Sequence, residues 1–154
     1  MAYIANFKTG LESIEINGDT LWFNAHDLNF PDKFMKFCDL ALSMNGLAKD
    51  EKDERVIAEK LHKAGDEINK GIDDLFGQGS AALLFKGISP ITLTFGDDGN
   101  SDGTLVTNFI DAITPYVKEK FEMYAKAEKK QRSKYKKALS EILEEVEEYE
   151  SDDE

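Results

Sequence analysis

The chain has 154 residues, 41% of them hydrophobic, and a formal net charge of −12 at pH 7. This length allows one domain with a single core, and the ten Phe, five Tyr and one Trp argue against wholesale disorder. The negative charge argues against direct nucleic-acid binding, because phosphates would be repelled. One Cys excludes an internal disulfide, and with only two His it is too little for a zinc site.

Apolar runs such as residues 81–85 are far too short to cross a bilayer. Residues 1–10 carry Lys8 and lack the apolar segment of a signal peptide. We therefore expect a cytoplasmic protein that makes no membrane contact.

The first structural element in the sequence is a β-hairpin. Residues 11–16 alternate between apolar and polar, and residues 20–23 are rich in strand formers. Asn17-Gly18 between them is a strong hairpin signal, because both turn positions require positive φ. We expect Trp22 and Phe23 to anchor the hairpin to the helices.

Two amphipathic helices follow the hairpin. Pro31, after Asn29, favours a helix start, and apolar residues then recur at helical spacing until Asn45-Gly46 ends the helix. A second apolar stripe, about three heptads long, occupies residues 56–75, with Gly77 as a plausible end.

The second half of the chain is predicted to hold shorter elements and then a long helix. Ser80 can cap a short helix over residues 81–85, residues 91–95 form a strand or extended piece, and residues 96–103 form a polar loop. A helix follows whose apolar face extends to Tyr124, and Pro115 should kink or restart it.

These elements predict an α+β, mostly helical fold, in which the N-terminal β-hairpin packs on a small helical bundle. Residues 1–125 form the single domain. Residues 126–154 form a protruding charged C-terminal helix that ends in a frayed acidic tail.

Charge in this tail is divided along the chain. Residues 126–137 hold seven bases and one acid, and residues 141–154 hold nine acids and no base. Such runs are often solvated helix faces, but apolar residues at helical spacing favour a recognition segment for a partner protein or a neighbouring copy. The candidate partner-binding residues are Lys130, Arg132, Lys134, Tyr135, Lys137, Leu139, Ile142, Leu143 and Val146.

Residues 98–103 match the first half of a calcium-binding loop. Asp98, Asn100 and Asp102 supply oxygens at alternate positions, and Gly103 allows the sharp turn. The twelfth position, where calcium loops carry a bidentate Glu, is Phe109. We therefore expect a solvated turn and neither metal nor cofactor.

Other motifs of enzymes are weak. Residues 77–82 fit a dinucleotide pattern, but a helix precedes them where that pattern needs a strand. His26 and His62 lie in neither a metal nor a protease motif, no nucleophile-elbow motif is present, and Cys38 lies on an apolar stripe. We expect a protein without enzymatic activity.

Several segments together resemble a known family. They are Asn-Phe-Pro-Asp-Lys-Phe at 29–34, Ile-Asp-Asp-Leu-Phe-Gly-Gln-Gly at 72–79, the stretch 103–117 and the Lys/Arg/Tyr-rich helix after it. In order and spacing, over most of residues 11–137, the chain resembles small proteins from the tail-gene region of phages infecting Gram-positive bacteria. The acidic residues 141–154 depart from that family's pattern.

The resemblance implies a tail-assembly chaperone that binds tape-measure and tail-tube proteins and is absent from the finished particle. An alternative is an acidic inhibitor or nucleic-acid mimic that blocks a host nuclease or defence protein, because the carboxylate tail could occupy a basic groove. A calcium-regulated module or small enzyme is a third hypothesis. The sequence leaves open the partner, the oligomeric state and whether the acidic tail serves recognition or solubility.

Overall fold

The computed structural model of the protein describes residues 2–152, and for residues 146–152 it describes only the helical backbone. The chain divides into two compact units, Met1–Val117 and Lys118–Glu154. The first unit thus ends before residue 125, the predicted end of the domain.

The N-terminal hairpin consists of β1 (Glu12–Ile16) and β2 (Asp19–Phe23), which pair in antiparallel register. Asn17 and Gly18 form the turn with φ of 50° and 84°. Positive φ at both turn positions matches the right-handed twist of the strands. The predicted hairpin is confirmed.

One face of the hairpin joins the core. Leu21 and Phe23 are buried, whereas Trp22 is 56% exposed. Successive side chains of a strand point to opposite faces, so Trp22 cannot share the buried face with its neighbours. The prediction that Trp22 anchors the hairpin is therefore wrong, and Phe23 alone of the two does so.

Helices α1 (Phe30–Ser43) and α2 (Glu54–Phe76) follow the hairpin. Pro31 lies in the first turn of α1, where its missing N–H costs nothing. At the start of α2 the Arg55 N–H donates to the Asp53 carboxylate over 3.0 Å, which caps the helix. Gly77, with φ of 109°, ends α2 as predicted.

The short helix α3 (Ser80–Phe85) starts differently from the prediction. Ser80 lies inside the helix and is buried, and the capping position is Gly79 with φ of 92°. The Asp73 carboxylate on α2 instead accepts the Ala81 N–H over 2.9 Å. Capping by Ser80 is therefore a wrong prediction, because a residue distant in sequence supplies the acceptor.

A second two-stranded sheet consists of β3 (Leu93–Phe95) and β4 (Ser101–Thr104), which are antiparallel with a register shift. The extended piece over residues 91–95 was expected, but the end of the predicted loop forms a strand. The Gly96 N–H donates to the Asn100 carbonyl over 2.9 Å and closes the turn between the two strands.

Helix α4 (Leu105–Asp152) is 48 residues long and passes through Pro115. Proline removes one backbone hydrogen bond from a helix, but α4 is not restarted there. In the first unit its buried residues are Val106, Phe109 and Ile113.

Phenylalanine rings fill the core of the first unit. The Phe76 ring centroid lies 5.0 Å from that of Phe23 and 5.8 Å from those of Phe30 and Phe109. Residues from the hairpin, α1, α2 and α4 therefore meet in one cluster. The predicted fold class, α+β and mostly helical with an N-terminal hairpin and a long C-terminal helix, is confirmed.

Candidate functional site

Exposed apolar side chains occur on the part of α4 that belongs to the second unit. Tyr135 is 71% exposed, and Leu139, Ile142 and Leu143 are 56%, 55% and 61% exposed. The first three follow each other at spacings of four and three residues, so they lie on one side of the helix, and Leu143 borders them. We call these four residues the apolar stripe. Val146 continues the spacing, but its side chain lies outside the described residues.

The predicted partner-binding lysines, Lys130, Lys134 and Lys137, lie on the other side of α4 together with Lys126. Lys126, Lys130, Lys134 and Lys137 follow each other at spacings of four, four and three residues and line one shallow surface. At 100° per residue this surface faces away from the apolar stripe. We call these four residues the basic face. The predicted partner-binding residues thus divide between two faces of one helix.

Arg132 lies on the side of the apolar stripe, seven residues before Leu139. Its Nη2 donates to the Glu128 carboxylate over 2.8 Å, across one turn of α4. Exposed ion pairs of this spacing contribute about 0.3–0.5 kcal/mol in helices, so this one leaves the arginine available to another partner.

The charges along α4 oppose the helix dipole. The last turn of α4 contains Glu150 and Asp152 and no basic residue, and the basic residues 126–137 come earlier in the helix. Negative charge near a helix C-terminus is unfavourable, because the carbonyl ends there carry partial negative charge. Local helix stability therefore does not account for the order of these charges.

The calcium-like loop, residues 98–103, covers part of the turn after β3 and the first three residues of β4, and its oxygens are engaged locally. The Asp98 carboxylate accepts the Asn100 backbone N–H over 2.9 Å and the Asn100 side-chain amide over 3.2 Å. These hydrogen bonds lower the pKa of Asp98. The Asp102 carboxylate accepts the Thr94 hydroxyl, and Phe109, at the twelfth position, is buried in the core.

Histidine and cysteine side chains are distributed over the first unit. His26 Nε2 lies 4.0 Å from a Glu12 carboxylate oxygen, and His62, exposed on α2, lies 3.4 Å from Asp66. Cys38 is half-buried against the core, and this burial raises the pKa of its thiol. A raised pKa keeps the thiol protonated and less nucleophilic at neutral pH.

A cleft of about 600 Å³ lies beside α2, and it was not predicted from the sequence. Leu61, Gly65, Asn69 and Ile88 contribute to its lining. The Asn69 Oδ1 atom is inaccessible and accepts no hydrogen bond within the described structure. The only sequence signals were a glycine and a polar residue on the apolar side of the helix, which are too common to identify a cleft.

Comparison with known proteins gives no indication of the function of this chain. No protein-family model, curated protein or solved structure matches this chain. Within residues 2–152, no helix has the length and apolar character needed to span a membrane. Among the described side chains, those of residues 2–145, His, Cys, Asp and Glu form no group of three or more that could hold a metal ion.

Proposed function

We propose that the protein is a non-catalytic protein-binding factor, a phage tail-assembly chaperone that holds tape-measure and tail-tube proteins in the host cytoplasm. The apolar stripe on α4 carries the proposal. The resemblance of residues 11–137 to proteins encoded in phage tail regions supplies the identity of the partners.

The apolar stripe has the chemistry of a surface that binds a helix or an extended apolar segment. Complete burial of one large apolar side chain contributes about 1.5–3 kcal/mol. Tyr135, Leu139 and Ile142 are all more than half exposed on one side of α4. Anchors at spacings of three and four residues are typical of helices that bind in an apolar groove. Such contacts would shield an aggregation-prone tail protein from water until it assembles.

Capture from phage-producing cells tests this proposal. The tagged full-length protein should enrich tape-measure and tail-tube proteins, identified by mass spectrometry. A variant with Leu139, Ile142 and Leu143 changed to Ser should lose them, because the apolar contacts are removed. The matched control changes Met35 and Leu42, which are comparably exposed on α1, to Ser and should retain them. Equal capture by the two variants would show that the apolar stripe is not the binding surface.

A truncation separates binding from folding. A chain ending at Ala125 should melt at nearly the same temperature as the full-length protein, because none of the side chains of residues 126–145 is buried. It should not capture tail proteins. If it unfolds, the deleted helix belongs to the core. If it folds and captures them with unchanged affinity, the binding surface lies in the retained residues.

The acidic end of α4 favours an alternative function, an inhibitor or nucleic-acid mimic that occupies the basic groove of a host nuclease or defence protein. Residues 141–154 hold nine acids and no base, and complementary charge increases association rate and specificity. In that case the same capture should enrich a DNA-binding host protein. Changing Glu141, Glu144 and Glu145 to Gln should abolish its enrichment, whereas changes in the apolar stripe should not.

A further inference from the structure

We propose that, in the absence of another partner, the apolar stripe of α4 is covered by α4 of a second copy lying antiparallel to it. The contact involves residues of the second unit alone. This self-association does not rest on the proposed function, and tail proteins would compete with it for the same surface.

The spacing of apolar residues on α4 is that of a coiled coil. Tyr135, Leu139, Ile142, Val146 and Tyr149 follow one another at alternating spacings of four and three residues. The backbone of all five is helical within α4. Alternating spacings of this kind place one apolar seam along a helix, which is buried when a second helix packs against it.

Charge decides the direction of the second helix. Residues 126–137 contain seven bases and one acid, and residues 141–154 contain nine acids. A parallel pair would place bases beside bases and acids beside acids, which is unfavourable. An antiparallel pair places the basic block of each copy beside the acidic block of the other. The order of charges that opposes the helix dipole is therefore favourable in this pair.

The apolar seam and the charges agree on one register. In an antiparallel pair with Leu139 of one copy facing Ile142 of the other, Tyr135 faces Val146. The same register places residues 129–137 of one copy opposite residues 144–152 of the second. Within these stretches the first contains six bases and the second contains six acids. Apolar and charged residues thus select the same arrangement independently.

The pair should be weak and reversible. At a rise of about 1.5 Å per residue, the helical overlap of residues 129–152 is roughly 36 Å long, but it contains few apolar layers. Coiled coils usually need about three to four apolar heptads. The charged contacts are exposed and are screened as the Debye length falls from about 10 Å at 0.1 M salt to about 3 Å at 1 M. Self-association should therefore weaken measurably when the salt concentration is raised across that range.

Cysteine cross-linking tests the direction and the register. In a full-length Cys38→Ala background, proteins carrying Tyr135→Cys or Val146→Cys should form a disulfide-linked dimer when mixed under oxidation. Neither protein alone should do so, because each introduced thiol faces a different position of the second copy. Cross-linking of each protein with itself would indicate a parallel pair and overturn the proposal. The control is Asp50→Cys, in an exposed loop of the first unit, which measures how much cross-linking arises from random collisions.

Sedimentation equilibrium of the protein without introduced cysteines tests the association itself. Over a concentration series to several hundred micromolar, the full-length protein should show a reversible monomer–dimer equilibrium. Changing Lys129 and Lys136 to Glu should weaken it. The matched control changes Lys49 and Lys52 to Glu, which alters the net charge by the same amount in the first unit. This control should leave the association unchanged. A protein that stays monomeric throughout the series at low salt would overturn the proposal, whatever the capture experiment shows.

Discussion

Phe76 joins the elements of the first unit, so its truncation should be severely destabilising. The side chain is buried at the end of α2. Its ring makes edge-on contacts with Phe23 of the hairpin, Phe30 of α1 and Phe109 of α4, with centroid distances of 5.0 to 5.8 Å. Phe76→Ala would remove the ring around which these three elements meet.

The expected loss follows from burial and packing. Removing a buried Phe side chain forfeits about 1.5–3 kcal/mol of transfer free energy. The cavity left behind and the lost ring contacts, each worth about 0.5–1.5 kcal/mol beyond burial, increase the loss to roughly 3–5 kcal/mol. Since small domains are stable by only about 5–15 kcal/mol, Phe76→Ala should leave the fold marginal.

Urea denaturation followed by far-ultraviolet circular dichroism measures this loss directly. The control is Phe95→Ala, the same change at a side chain that is 64% exposed on β3. We expect the control to lose less than about 1 kcal/mol, as exposed substitutions usually do. If Phe76→Ala lost no more than Phe95→Ala, the aromatic cluster would not be the core, and the packing described above would be incorrect.

Three further results are expected. Gly71→Ala should lower the melting temperature, because an added Cβ would lie 2.8 Å from the Phe37 ring. The overpacking costs about 1–3 kcal/mol, which exceeds a helix-propensity gain of about 1 kcal/mol. Adding Phe37→Leu should relieve this overpacking, and a Gly71→Ala variant that is more stable than the natural protein would contradict the reasoning. Asp73→Ala should lower the free energy of unfolding, measured by urea denaturation, by about 0.5–2 kcal/mol, as loss of a helix cap does. The control Asp74→Ala should lower it less. Iodoacetamide should alkylate Cys38 more slowly at pH 8 in the folded than in the denatured protein, because burial raises its pKa; equal rates would refute this.

Elements with local signals could be predicted from the sequence. Asn17 and Gly18 specify the hairpin turn through their own φ preferences, and Pro31 and Gly77 mark a helix start and a helix end. These signals act within a few residues, so no tertiary contact is needed to interpret them.

Features that depend on contacts distant in sequence could not be predicted. The acceptor that caps α3 is Asp73 on the preceding helix, whereas local propensity indicated Ser80. The strand β4 forms because residues of the loop meet β3, not because of its own composition. Similarly, the cleft beside Asn69 exists only where α2 approaches a segment about twenty residues later in the chain.

The candidate site was predicted in part. Spacing alone identified the apolar stripe on α4, because helical periodicity is local information. The division of the partner-binding residues between two faces also follows from this periodicity, but grouping Lys130, Lys134 and Lys137 with the stripe overlooked it.

Helix α4 continues past the end of the first unit at Val117, which has a consequence for how its amide hydrogens exchange with solvent. Opening α4 over residues 118–145 exposes no buried side chain, so those amides should exchange at the rate of an isolated helix while the core amides stay protected. Any macromolecule that covers the apolar stripe would slow exchange there first. The amides around Leu139 therefore report whether this surface is occupied. They would do so even inside cells that produce the protein, where the occupant is unknown.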